Sequence, residues 1–305
     1  MTNLLFLLVC LSLGAAFKRG SLLQGNAHMV INQLLLYVCL PAATLVYASE
    51  VRLNSQMLMP VLMPWCLYII GFVFFKLVSK VNSFSSHSEA VLIMTAGVPS
   101  VSFLGFPIFE LFYGTEGLRI GILMSQAGSF MVCATLGVIT ASYYAAAKPS
   151  LKTILANVLG FPVFIAFMIA LAMNFLHLSF PVFVKEALQK IAAPFSFLAL
   201  FSVGLQIDFI EKRDLWKQLC TGLCFKLLIA PLLVWLAIFP IAGQTGIVAE
   251  ICVIGAALGP MNTAAIIAIQ YGLHPQLASA MVGIGLPLSL FTCLPVYYLL
   301  QWFNG

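Results

Sequence analysis

The sequence predicts an all-α integral membrane protein of about ten transmembrane helices, arranged as two inverted five-helix repeats with helices 4 and 9 broken mid-span. Three observations carry this expectation. The 305 residues are 62% hydrophobic and only 8% charged, against about 25% charged in soluble domains. The apolar residues gather in runs of roughly 20, the length of a spanning helix and far beyond a barrel strand. Two of those runs, Glu89–Gly114 and Ala249–Gly272, are interrupted by glycine, proline and small polar residues.

In chain order the spans are expected near 2–17, 31–49, 57–79, 88–113, 118–146, 153–176, 183–206, 214–239, 246–272 and 275–303. The first run is short enough for a signal peptide, but a signal peptide carries its positive charge ahead of the apolar core. Here Lys18 and Arg19 follow it, so the run reads as a span with its N-terminus outside. The odd-numbered loops hold Lys18, Arg19, Lys76, Lys80, Lys148, Lys152, Lys212, Arg213 and Lys217, whereas the even-numbered loops hold only Arg52, Arg119 and Lys185. The positive-inside rule therefore puts the odd loops in the cytoplasm and both termini outside. Five spans per half invert the second half relative to the first, as in many secondary transporters. The joint falls at Ala147–Lys152 within one membrane domain, with repeat one at 1–147 and repeat two at 152–305.

Composition also excludes. A net charge of +5 spread over short loops is a topology signal rather than a nucleic-acid one. The eight cysteines lie within or beside apolar runs and read as small hydrophobes. Cys220 and Cys224 share a helix face without histidine or carboxylate neighbours, so no metal site, disulfide framework or cofactor is expected. A membrane-embedded enzyme would need a nucleophile with its base, paired carboxylates or metal ligands at membrane depth. No His-Glu-x-x-His pattern occurs, and Asp208 and Asp214 fall in a loop. A sensor would ordinarily carry an attached cytoplasmic domain, and no loop has room for one.

The two interrupted runs echo one another. Glu89 precedes Pro99 by the interval that separates Glu250 from Pro260, and the runs end in Tyr113-Gly114 and Tyr271-Gly272. Kinked helices are the plainer alternative, because single glycines and prolines are common in membrane spans. Paired breaks instead mark a transporter's binding site, since unpaired backbone survives at that depth only against protein or a water-filled cavity. The polar atoms at the breaks are Ser100 and Ser102 in the first, Asn262 and Thr263 in the second. Restarting half-helices present unpaired amides and about half a positive charge, which together suit an anion.

Further candidates lie on neighbouring spans. Pro41 with Thr44 in span two, and Pro194 with Ser196 in span seven, look equivalent. Each proline frees a carbonyl for a neighbouring helix or a substrate. Gln126, flanked by Ser125 and Ser129, needs a partner that either a cavity or another helix could supply. Ionisable residues inside a span are functional candidates by default. Lys226, deepest of them, would attract an anion or neutralise a carboxylate. Glu110, just past Pro107, is a candidate proton carrier or partner of Lys226. Glu89 and Glu250 lie about 15 Å before their breaks, where solvated carboxylates are expected. Glu186 and Lys190 form a structural i,i+4 pair, and His28, His87, His177 and His274 receive no role.

The chain resembles the auxin efflux carrier family, which includes plant PIN carriers and bacterial permeases for malonate and similar acids. The matching pieces are NQLLLYVCLPAAT, SVSFLGFPIFELFYGTEGL, PFSFLALFSVGLQI, KLLIAPLL with Lys226, and LGPMNTAAIIAIQYGL. The resemblance implies ten helices in two inverted repeats, with helices 4 and 9 crossing at prolines beside the substrate. It implies Pro107 and Pro260 near the crossing, lined by Ser100, Ser102, Asn262 and Thr263. Thr44 and Gln126 would contact substrate from adjacent helices. Ser100 stands where members often carry asparagine, and the long central loop of many plant relatives is missing, which points to a compact permease of a bacterial inner (plasma) membrane.

The expected function is a secondary active carrier or uniporter for a small mono- or dicarboxylate, auxin- or malonate-like, working by alternating access. H+ coupling or a voltage-driven uniport is favoured over Na+, because few oxygen ligands surround the crossing. Sodium symport of the bile-acid type is the alternative. The lipid bilayer and the anion are the expected partners, nucleic acid is not, and a homodimer is compatible with the architecture.

Overall fold

The computed structural model describes residues 2–24, 26–51, 54–146, 159–206 and 215–304. The joint at Ala147–Lys152 lies outside them, as do Arg52, Lys212, Arg213, Asp208 and Asp214. Among the described residues the chain is helical throughout, apart from turns and one isolated bridge. The helices are α1 (Thr2–Arg19), α2 (Ala27–Ala48), α3 (Ser55–Asn82), α4 (Ser86–Gly97), α5 (Val101–Tyr144) and α6 (Pro162–Phe175). They continue as α7 (Val182–Leu205), α8 (Trp216–Ile241), α9 (Ile247–Ala257), α10 (Asn262–Gln270) and α11 (Pro275–Asn304). Six are long and apolar enough to cross a membrane, namely α2, α3, α5, α7, α8 and α11, and α6 and α9 are shorter apolar helices. The chain is therefore an integral, multi-pass membrane protein.

Local chemistry sets the boundaries. The Asn54 side chain accepts the Met57 amide at 3.2 Å and starts α3. The Ser85 hydroxyl accepts the Ser88 amide at 3.1 Å and starts α4. Both satisfy amides that a helix start leaves unpaired. Span boundaries expected at 113 and 118 contract to one residue, because Gly114 has φ 63° and ψ −153° and turns the helix inside α5. Gly272 has φ 71° and ends the segment after α10. Both Tyr-Gly steps thus close their half-helices with a left-handed residue, a conformation glycine adopts without a Cβ penalty.

Packing follows from where the surface is apolar. Among the described residues, α1 lies along the second half of α7, and α6 along the second half of α2. The helices α3, α4, α5, α8, α9, α10 and α11 pack around one another in a second group, with α4 and α9 at its centre, and α5 also packs on α2 and α7. Residues Ala90–Gly97 and Val248–Ala257 are buried on every side. That enclosure is what permits these two helices to stop in mid-bundle, because protein rather than lipid surrounds the ends.

Candidate functional site

The two broken runs meet at their breaks. Pro99 and Pro260 form the isolated antiparallel bridge. The Ser100 amide donates to the Gly259 carbonyl at 2.9 Å, and the Met261 amide donates to the Thr95 carbonyl at 3.2 Å. The sequence dictates this shape: a proline has no N–H to continue a helix, and it pushes its predecessor into extended backbone. Val98, before Pro99, accordingly has φ −120° and ψ 130°; Leu258, two residues before Pro260, is extended as well, with φ −61° and ψ 152°. A two-residue exchange of backbone bonds then satisfies groups that the interrupted helices cannot. Gly285 of α11 covers the bridge, and a Cβ there would sit 2.5 Å from Pro260 Cδ.

A cavity of about 1210 Å³ reaches this crossing from the face where α1 ends and α2 begins. Asn262 and Thr263, at the start of α10, form its inner wall with Phe103. Lys18, His28, Asn32, Gln206 and Gln276 also line it. No Asp or Glu is among the described lining residues. Apolar side chains, including Leu36 and Ile266, complete the wall. Such a surface presents hydrogen-bond donors and the positive end of a half-helix to a ligand.

The sequence candidates divide into three groups. Asn262 and Thr263 line the cavity and are half-buried, and Pro260 is buried in the bridge. Ser100, Thr44 and Gln126 are buried off that cavity, and Ser100 Oγ, Thr44 Oγ1 and Gln126 Oε1 lack hydrogen-bond partners. Gln126 Nε2 donates to Ser125 Oγ at 3.3 Å, and no bond from its side chain to another helix is present among the described residues. Ser102 is half-buried on the restarting turn. Pro99 faces Pro260 in the bridge, and Pro107 lies buried inside α5. The helix has already resumed at Val101, so a proline early in it has nothing left to interrupt.

The charge candidates also depart from expectation. Glu110 is exposed and accepts the Ser196 hydroxyl at 2.5 Å. Lys226 is 0% exposed, and its Nζ has no hydrogen-bond partner. Its turn packs among α4, α9 and α11, whereas Glu110 faces the start of the Phe195–Leu205 helix, so the two are not partners. Glu89 and Glu250 are not solvated carboxylates. Glu250 is 7% exposed and accepts Tyr113 Oη at 2.7 Å and Gln301 Nε2 at 2.8 Å. Glu89 accepts Tyr144 Oη and lies 3.8 Å from Lys76. Each tyrosine comes from a distant helix end, which no local pattern announces.

The opposite face carries an ion-pair cluster. Glu50, just beyond α2, holds Arg119 Nη2 at 2.5 Å and Lys185 Nζ, and Arg119 Nη1 also reaches Glu116 at 3.3 Å. Burial by itself would raise the Glu50 carboxyl. Hydrogen bonds and charge from Lys185 and Arg119 outweigh that and hold it below the usual carboxylate range. The 22 residues of α2 separate this clamp from the cavity mouth by about 33 Å. The cavity therefore opens at one face, and the ion pairs lie near the other. Sequence reading placed Arg119 and Lys185 in loops as topology markers and did not single out Glu50.

The family pattern described as "Membrane transport protein" matches residues 1–298. The chain belongs to that family. It is the family of the auxin efflux carriers, so the resemblance holds. The chain is similar to the uncharacterized transporter YfdV of Escherichia coli, 24% identical over 291 residues, covering 92% of this chain and 91% of that protein. It is similar to the uncharacterized transporter MJ1031 of Methanocaldococcus jannaschii, 22% identical over 215 residues, 68% of this chain and 69% of that protein.

Proposed function

We propose that this membrane transport protein is a secondary carrier of a small organic anion, a mono- or dicarboxylate, bound beside the crossing of its two broken helices. The observation that carries the reading is the cavity at the crossing. It ends on the N-terminus of α10 with Asn262 and Thr263, and its described lining holds amides, His28 and Lys18 but no carboxylate. Such a lining favours a negative ligand and disfavours a cation.

Alternating access follows from a ten-helix, two-repeat reading of the fold, which several correspondences support. Pro99 answers Pro260, Gly114 answers Gly272, and the packing of α1 on α7 answers that of α6 on α2. In this reading α1, α2, α6 and α7 form one unit, and the group around α4 and α9 slides against it. The cavity side is the cytoplasmic one of a bacterial plasma membrane, with both termini outside. Transport is driven by H+ or by membrane potential rather than Na+, with Glu110 and Lys226 as the charges to examine.

The test is uptake of labelled mono- and dicarboxylates into proteoliposomes under imposed pH, sodium and voltage gradients, with Asn262→Ala alongside. Saturable uptake that the substitution abolishes is the expected result, and the effective gradient names the coupling ion. Failure to move any carboxylate under any gradient would defeat the anion reading.

A further inference from the structure

The wall of the cavity opposite the crossing carries a built donor that faces the ligand space. Asn32 of α2 is 8% exposed. Its Oδ1 accepts the Ser202 hydroxyl of α7 at 2.6 Å. Gln206 Nε2 in turn donates to the Ser202 carbonyl at 3.1 Å and to Ser202 Oγ at 3.3 Å. The Ser202 hydroxyl has two acceptors in reach, the His28 carbonyl at 3.5 Å and Asn32 Oδ1 at 2.6 Å, and the far shorter contact makes Oδ1 the accepting end of that amide. The Nδ2 group is then the end turned to the cavity that Asn32 lines, and among the described residues it donates to nothing. A purely structural asparagine would have both ends of its amide paired within the bundle. Here one end is fixed through three residues, and the two donors of the other need an acceptor from the cavity.

We infer that Asn32 is a specificity-determining residue, with Ser202 and Gln206 as its positioning residues, and that the cavity takes an anion with a second acceptor group, a dicarboxylate. This rests on the anion-carrier reading above and deepens it. One carboxylate meets Asn262, Thr263 and the N-terminus of α10, while the second meets Asn32 Nδ2 on the facing wall. An aliphatic monocarboxylate has no group for Asn32 and leaves its two donors without an acceptor, which is how a polar site rejects an analogue. The α2–α7 bond also holds both halves of this wall together while the crossing group moves.

The experiment is proteoliposome uptake of labelled succinate and butyrate, which match in carbon number and differ in the second carboxylate. Wild type is expected to take up succinate in preference to butyrate. Asn32→Ala is expected to raise the succinate KM about tenfold or more, the size of one lost bond to a charged group, with kcat little changed and butyrate uptake unmoved. Asn32→Ser keeps a partner for Ser202 without the amide and should behave alike, which covers the case in which the alanine variant does not fold. Ser202→Ala, which releases the amide from its orientation, should give a smaller rise in the succinate KM. An unchanged succinate KM in Asn32→Ser, or equal losses for both acids, would overturn the assignment while leaving the carrier reading intact. Absence of uptake of every carboxylate tested would overturn the carrier reading itself.

Discussion

Glu50→Gln should loosen the ion-paired face. Glu50 joins the turn after α2 to Arg119 in α5 and Lys185 in α7, so its carboxylate ties together parts of both helix groups. The side chains are partly exposed, 34% for Glu50, 26% for Arg119 and 38% for Lys185. Each pair is therefore worth no more than about 1 kcal/mol, and the two together about 1–2 kcal/mol. That bias corresponds to roughly a 5–30-fold shift between closed and open populations. A cysteine at Thr44, buried in wild type and less than two turns from Glu50, reports opening through its labelling rate with an impermeant maleimide. The exposed Cys66, Cys220 and Cys224 are first replaced by serine. Labelling from the clamp side should accelerate about 5–30-fold in Glu50→Gln, and more so in low salt, where screening is weaker. Equal rates in the two proteins would refute the view that these ion pairs hold the face closed.

Four further outcomes follow from the same geometry. The Glu50 carboxyl is depressed in the clamped state, so the clamp's stabilisation is complete above the ordinary carboxylate pKa and is lost as pH falls through the lower, clamped value. Spin-label distances across that face should stay constant from neutral pH down to about pH 5, near the top of the unperturbed carboxylate titration, and lengthen only below it. Lys226→Met removes a buried amino group without a hydrogen-bond partner; the thermal midpoint should rise by at least about 2 °C while uptake falls, and an unchanged midpoint would mean that its burial is compensated. Tyr113→Phe removes a hydrogen-bond donor to Glu250 and should cost about 1–2 kcal/mol in chemical denaturation. Gly285→Ala forces a Cβ to 2.5 Å from Pro260 and should lower the yield of monodisperse protein, whereas Gly283→Ala, with its nearest atom at 3.6 Å, should be tolerated.

The helical membrane class and the two breaks were legible in the chain because each has a single physical cause. A run of apolar residues with few charges has no soluble alternative, and a proline deep in such a run cannot extend the helix hydrogen bonding. The Tyr-Gly steps were legible for a related reason, since glycine is the residue that tolerates the left-handed backbone found at Gly114 and Gly272. Asn262 and Thr263 followed from the second break alone, because residues that restart a helix lie beside the amides it leaves unpaired.

What only the tertiary structure decided is which of several equivalent groups meet. The equal Glu–Pro spacings align Pro99 with Pro260 in sequence, but only chain packing brings the two prolines into contact. Glu250 finds Tyr113 at a separation of 137 residues, and Asn32 finds Ser202 at a separation of 170. Local sequence sets a helix and its faces through steric and hydrogen-bonding rules spanning about four residues. Partners across helices depend on rotation and depth, which the sum of all contacts determines. For the same reason Lys226 and Glu110, a plausible pair on paper, end in different surroundings: one is enclosed by α4, α9 and α11, and the other is exposed beside Ser196.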